Sequence, residues 1–215
     1  MQEAAKKQAE KTTAPTLTRS QQKNVDILNA AEQVFIEKGF KGTSMDEIAR
    51  VAQVSKRTVY NHFETKEALF HQILMSCCEE LFFSNDLDYP TDMPIESQLY
   101  DFLQHEWDFF VSDRITKLTR IVIGEYVETP GFANMLINEF KERETSIYRW
   151  LRSQVDNGRL ENINFEFAER YLIESIKAHA HYPRIYDQTT PEGDDRDYIV
   201  REIIALFLGR YATSN

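Results

Sequence analysis

Residues 53–70 read "QVSKRTVYNHFETKEALF". Positions 55–62 alone hold two basic residues, two hydroxyl side chains, a tyrosine, an asparagine and a histidine, with Val59 the one apolar interruption. The chain around them is acidic, with 25 Lys and Arg against 35 Asp and Glu and a net charge of −10. Concentrating donors and cations in one short segment points to a partner outside the chain. Val54, Val59 and Phe63 recur at helical spacing, so one face of the segment turns inward. Lys56, Arg57, Thr58, Tyr60, Asn61 and His62 cover the rest. Ser55 is placed to cap this helix, expected over 56–63, and Thr65 to cap a longer one beginning at Lys66.

Upstream, "FKGTSMDEIARVAQ" carries Ser44 and, three residues on, Glu47, the pattern of a capping box for a preceding helix. Before that, Val25, Ile27, Leu28, Ala31, Val34 and Phe35 make an apolar stripe from Gln21 that Gly39 should end. Two short helices joined through Gln53 and Val54 form the layout of a helix-turn-helix. Its second helix is of a size to enter the DNA major groove. Arg57 has the forked donors that match guanine, and Asn61 the amide that pairs with adenine. Lys66, beside the backbone N–H groups that open the next helix, is suited to a phosphate.

The charge distribution agrees. Residues 1–75 hold 11 basic against 9 acidic residues, a balance of +2, whereas residues 76–215 hold 14 against 26, a balance of −12. A mildly basic head on an acidic body fits a polyanion at the head alone. Residues 1–20 lack apolar periodicity and are expected to form a disordered basic arm bearing Lys6, Lys7, Lys11 and Arg19. Seven glycines, six prolines and no sustained alternation favour helices throughout. After the break "SNDLDYPTDMP", further helices are expected at 95–111, 114–127, 131–157, 165–182 and 197–211. The fold class is all-α: a three-helix DNA-binding domain over 21–66, then a larger helical domain over 67–215 for effector binding and dimerisation.

"GFKGTSMDEIARVAQVSKRTVYNHFETKEALF" resembles the DNA-binding region of the TetR family of transcriptional regulators. The shared features are the Gly-Phe after the first helix, Thr43-Ser44, Ile48-Ala49, Val54-Ser55, the Tyr60-x-His62-Phe63 run and Lys66-Glu67-x-Leu69. The match covers about residues 21–75. Two positions depart from the family pattern: Gln53 stands where a turn glycine is usual, and Arg57 where a glycine is common. The resemblance implies that Thr43, Ser44, Ser55, Tyr60, His62 and Lys66 contact phosphate, while Lys56, Arg57, Thr58 and Asn61 face bases or nearby phosphates. It also implies a homodimer on a near-palindromic double-stranded operator.

The body is rich in large apolar side chains between 95 and 157, with His105, Arg120 and Glu125 among them. A mainly apolar cavity with few polar groups suits a small apolar or aromatic effector. Trp107, Phe110, Arg120, Tyr126 and Tyr148 are the candidate lining, although aromatic residues at helical spacing serve a core equally well. In the last two helices, Ile176 and Ala180 with Ile203, Leu206 and Phe207 are candidates for a four-helix dimer interface. His179 and His181, two residues apart, point away from each other on a helix, and Cys77 and Cys78 are adjacent, so no metal site is expected. No cofactor-binding or hydrolase motif is present, so an enzyme is disfavoured. A protein-interaction module would fill the second helix with acidic or apolar groups instead. No apolar run approaches the roughly 18 residues that span a bilayer, and the N-terminus lacks a signal-peptide core. The expectation is a cytoplasmic DNA-binding regulator without cofactor or membrane contact.

Overall fold

The computed structural model describes residues 18–83, 87, 89–90, 92–128 and 144–213. Ten helices lie among them, and no strand beyond an isolated bridge between Leu160 and Ala212. They are α1 (Arg19–Gly42), α2 (Met45–Val51), α3 (Lys56–His62), α4 (Lys66–Phe83), α5 (Ile95–Val111), α6 (Asp113–Glu128), α7 (Ser146–Asp156), α8 (Phe165–Ala180), α9 (Tyr182–Ile185) and α10 (Gly193–Tyr211). Among the described residues, no helix is long and apolar enough to cross a membrane.

Residues 18–20 of the expected arm belong to the first helix. Thr18 caps α1 through a reciprocal pair, accepting from the Gln21 N–H while the Gln21 side chain accepts from the Thr18 N–H, so Arg19 and Ser20 are already helical. Residues 1–17 lie outside the described set. Gly39 does not end α1 but breaks it, at φ 72 and ψ 172, and the helix resumes to Gly42. Only glycine takes that conformation without strain. The kink is locked by the Thr43 hydroxyl, which is 2.8 Å from the Gly39 carbonyl oxygen.

The turn between α2 and α3 explains itself in hydrogen bonds. The Val54 N–H donates to the Ala49 carbonyl at 3.0 Å and the Gln53 N–H to the Arg50 carbonyl at 3.3 Å. That is a Schellman closure, and it places Gln53 in the left-handed region at φ 54. A non-glycine residue there costs roughly 1 kcal/mol. Gln53→Gly is therefore expected to leave stability level or raise it by up to about 1 kcal/mol, the gain being reduced by a freer unfolded chain. Gln53→Val, β-branched and barred from positive φ, should lose at least about 1 kcal/mol in urea unfolding.

Two cores divide the molecule. The first joins α1–α4 through Ile27, Phe35, Ile48, Val59, Leu69 and Phe70, and takes in Ile115 and Leu118 from α6. The second joins α5, α7, α8 and α10 through Leu99, Leu103, Trp107, Leu151, Leu172 and Phe207. Phe109 packs against both.

Element boundaries beyond α4 follow local chemistry. The helix expected over 131–157 begins, within the described residues, at Ser146: Thr145 accepts from the Tyr148 N–H as its cap, and 129–143 lie outside the described set. The helix expected to reach 182 stops at Ala180, because Pro183 supplies no N–H to continue the ladder and instead sits in the first turn of α9. The last helix starts earlier than 197, at Gly193, with Asp194 and Asp195 in its first turn where the helix dipole favours them.

Candidate nucleic-acid interface and small-molecule cavity

Helix α3 is held by its buried face. Val59 is inaccessible, Phe63 is buried as the residue closing the helix, and Val54 packs against the same core. Ser55 opens the helix by accepting from the Thr58 N–H at 3.1 Å, and its hydroxyl lies 2.8 Å from that of Thr58. The outer face presents Lys56, Arg57, Tyr60 and Asn61, all exposed, with Thr58 and His62 half-buried at its edges. Lys56 spans to Asp46 on α2 at 2.6 Å, an exposed pair that raises the lysine pKa. Among the described residues, Arg57 and Asn61 have no hydrogen-bond or ion-pair partner. Ser44, exposed, caps α2 through the Glu47 N–H at 3.3 Å.

Two residues expected at phosphate have intramolecular work. Thr43 is 4% exposed. Its single hydroxyl proton goes to the Gly39 carbonyl, so its side chain locks the α1 kink and is not presented to a phosphate. Lys66 donates to the carbonyls of Phe40 at 2.8 Å and Thr43 at 3.2 Å, with its ammonium 4.4 Å from the centre of the Phe40 ring. It ties the start of α4 to the α1–α2 junction and keeps at most one N–H for a phosphate.

A cavity of about 310 Å³ opens where the two cores meet. Its walls are Leu74, Cys77 and Leu81 of α4, Phe110 of α5, Leu118 and Val122 of α6, and Lys177 and His181 at the end of α8. Burial pushes both cysteine thiols up to about 11, so they stay protonated at neutral pH. The His181 Nδ1 lies 3.0 Å from the Phe110 carbonyl oxygen and Nε2 lies 3.1 Å from the Thr119 hydroxyl. A carbonyl only accepts, so Nδ1 carries the proton and Thr119 donates to Nε2. Burial lowers the His181 pKa and keeps the ring neutral.

Comparison with known proteins places these features together. Residues 27–73 match the model of bacterial regulatory proteins of the tetR family. Residues 97–213, more than half of the chain, match the C-terminal domain of AefR-like transcriptional repressors. This chain belongs to the TetR family. Proteins of this family are DNA-binding transcriptional regulators. YhgD of Bacillus subtilis strain 168, an uncharacterized HTH-type transcriptional regulator, is 28% identical over 133 residues, covering 61% of this chain and 66% of that relative. The match thus spans just under two thirds of YhgD. IcaR of Staphylococcus aureus, a negative transcriptional regulator of the biofilm operon icaADBC, is 24% identical over 156 residues, 68% of this chain and 77% of IcaR. A TetR-family regulator from Pseudomonas syringae pv. tomato shares the fold with a TM-score of 0.74 at 29% identity, over 92% of this chain and all of that one.

Of the residues expected to line an effector site in this TetR-family regulator, Phe110 lies in the cavity wall. Trp107 does not: it is 1% exposed in the second core, with the Arg196 guanidinium 5.6 Å from its ring. Arg120 is spent on closing α9, donating from Nε to the Ile185 carbonyl at 3.0 Å and from Nη2 to that of Arg184 at 2.8 Å, and pairing with Asp187. Tyr148 packs on Phe165 and Arg152 away from the cavity. The side chain of Tyr126 lies outside the described set.

The dimer candidates divide similarly. Ile176, Ala180, Ile203 and Phe207 are buried within one chain and join α8 to α5 and α10, so they are not free to meet a second copy. Leu206, at 65% exposure, remains available. With Tyr198, Ala205 and Gly209 it forms an exposed stripe along α10, and Phe167 and Ala178 make another along α8.

Proposed function

We propose that two copies of this chain bind a near-palindromic operator through α3, and that a small apolar or aromatic molecule in the cavity releases it. The observation that carries this reading is the pair Arg57 and Asn61, exposed and with no side-chain hydrogen-bond or ion-pair partner among the described residues, on a helix whose other face is fixed in the first core. Groups left unsatisfied by the protein are those able to read base edges. Ser44, Ser55, Lys56, Tyr60 and His62 flank them as candidate phosphate contacts. Residues 67–215 supply the effector site and the dimer contact, the latter through Tyr198, Ala205, Leu206 and Gly209. The protein would act in the cytoplasm, where its operator is.

Coupling has a physical route. Helix α4 begins at the interface and forms one cavity wall. Helix α6 forms another, and it is clamped to α1 at both ends. Arg114 pairs bidentately with Glu32 at 2.6 and 3.0 Å and reaches Glu80 of α4 at 2.9 Å, while Lys41 pairs with Glu128. A ligand that shifts α4 or α6 therefore carries α1–α3 with it. Two α3 helices must match major grooves about 34–36 Å apart. A coupling of about 1–3 kcal/mol would weaken operator binding some 5- to 150-fold.

The test is a mobility shift on DNA upstream of the chain's own coding region across a salt series. Affinity should fall steeply with salt as phosphate counterions are released. Arg57→Ala should relax base preference at one position by about 1–3 kcal/mol while sparing much of the nonspecific affinity. Equal binding to every sequence would sink the operator reading; an equal loss on all sequences in Arg57→Ala would reassign Arg57 to the backbone.

A further inference from the structure

The cavity wall carries one kind of charge. Most of the apolar bodies lining it come from α4, α5 and α6, and the polar groups are few. The Thr119 hydroxyl proton is committed to His181, and His181 donates to the Phe110 carbonyl, so this pair is closed upon itself. Both cysteines are neutral thiols. The Tyr182 hydroxyl donates to Glu174 at 2.5 Å. Lys177 is what remains. Its ammonium lies 6.0 Å from the Phe110 ring and 5.6 Å from the Tyr182 ring, and only 24% of its side chain is exposed.

One of the three N–H groups of Lys177 is used, on Glu174 at 2.6 Å. Glu174 sits outside the cavity, and Arg170 also acts on its carboxylate. Glu174 satisfies one N–H of Lys177 and leaves the other two for a ligand. No carboxylate lines the cavity among the described residues. An amine entering it would meet an ammonium and no carboxylate among the described lining residues. A ligand without an acceptor would leave two N–H groups unanswered in an apolar wall, and a neutral carbonyl would answer them more weakly than a charged group. A carboxylate satisfies them, and a charge-assisted bond of this kind is roughly twice as strong as a neutral one.

We propose that the cavity binds an apolar weak acid, its hydrocarbon or aromatic body among Leu74, Leu118 and Val122 and its carboxylate on Lys177. The proposal rests on the reading of this cavity as the effector site and specifies the chemistry of what enters. The volume, at the lower end of the roughly 300–1,000 Å³ typical of ligand sites, suits one or two fused rings or a medium acyl chain. The aromatic rings and the thiol sulfurs are soft, polarisable neighbours for such a body.

The experiment uses the full chain and three probes of one shape: naphthalene carboxylate, its primary amide and the aminomethyl analogue. Binding is measured by calorimetry at neutral pH, and operator release by mobility shift with each probe. The carboxylate should bind about tenfold tighter than the amide or more, and the amine least of all. Lys177→Met, which keeps the apolar stem, should erase the preference for carboxylate over amide while amide binding persists; Lys177→Arg should restore it. Unchanged thermal unfolding of these variants shows that folding is not the cause. Equal or tighter binding of the amide or amine, retention of the preference in Lys177→Met, or no binding of any probe overturns the proposal. Selective carboxylate binding that leaves the operator bound would keep the ligand class and remove the effector reading.

Discussion

Glu106→Met is expected to stabilise the protein by about 3 kcal/mol at pH 7. Glu106 lies on α5 and is 1% exposed, and its Oε2 has no hydrogen-bond partner. Its neighbours along the same helix face are Phe102, Leu103 and Phe110, which solvate no charge. Burial pushes its pKa from 4.5 up to about 8, so in the folded protein the carboxyl is protonated at neutral pH. The sign follows from linkage. Below pH 4.5 both states hold the proton and there is no penalty. Between 4.5 and about 8 the unfolded chain releases it while the folded one does not, so stability falls as pH rises; above about 8 the loss is complete. Methionine matches the length and removes both the titration and the unpaired oxygen. Glu106→Gln should remove the pH-dependent part alone, since a buried amide still needs partners. Urea unfolding at pH 5, 6, 7 and 8, at one protein concentration, measures the difference between variants, in which all other titrating groups cancel. A wild-type slope no steeper than that of Glu106→Gln would show that Glu106 finds a partner or water in solution.

The second large effect is expected at Lys66. The sequence offers it to a phosphate, and the structure gives it two carbonyls and an aromatic face. The Phe40 ring under its ammonium stacks 5.7 Å from Phe35 and tilts against Phe70 at 5.3 Å, so the lysine closes an aromatic cluster between α1 and α4. Lys66→Met keeps the stem but abandons the Phe40 and Thr43 carbonyls and the cation–π contact. The expected cost is about 2–4 kcal/mol of stability. Arginine, planar and longer, does not reproduce a compact ammonium with two convergent acceptors and should recover only part of this loss. Loss of a phosphate contact has a different signature: it lowers the salt slope of DNA binding by about 0.9 per phosphate. The structural role predicts lower thermal stability and weaker binding to all sequences with a nearly unchanged slope. Unchanged stability with a reduced slope would return Lys66 to the phosphate backbone.

These two residues mark where a linear reading stops. Glu106 stands in a stretch, "QHEWDFF", whose apolar periodicity gives it no reason to be unlike Asp101 or Asp108 until α8 and α10 are packed beside α5. Lys66 stands at a helix start, where phosphate binding is the simplest reading of a cation, and its carbonyl partners lie 23 and 26 residues away in the chain. Trp107 and Arg120 are of the same kind. Their types suit a ligand site, but a core position and a helix end claimed them. The lining of the cavity is dispersed for a related reason: α4, α5, α6 and the α8–α9 end all contribute to it, so no local window contains its pattern.

Local interactions are written in the chain. Thr18 with Gln21, Ser44, Ser55, Thr65 and Thr145 each cap a helix within three residues of themselves, and α2, α3 and α4 begin where Ser44, Ser55 and Thr65 say they should. The alternation of Val54, Val59 and Phe63 with Lys56, Arg57, Tyr60 and Asn61 fixes which side of α3 is buried, and with it the reading face. Even Gln53, without a glycine's freedom, is held at positive φ by two short-range hydrogen bonds. The all-α class, the helix-turn-helix and its outward donors were therefore determined by the sequence itself, because capping and helical periodicity act over a few residues. The tertiary structure alone decided which polar groups are consumed inside the chain, where the cavity opens and which faces of α8 and α10 stay bare. Those outcomes depend on distances between residues tens of positions apart, which only packing sets.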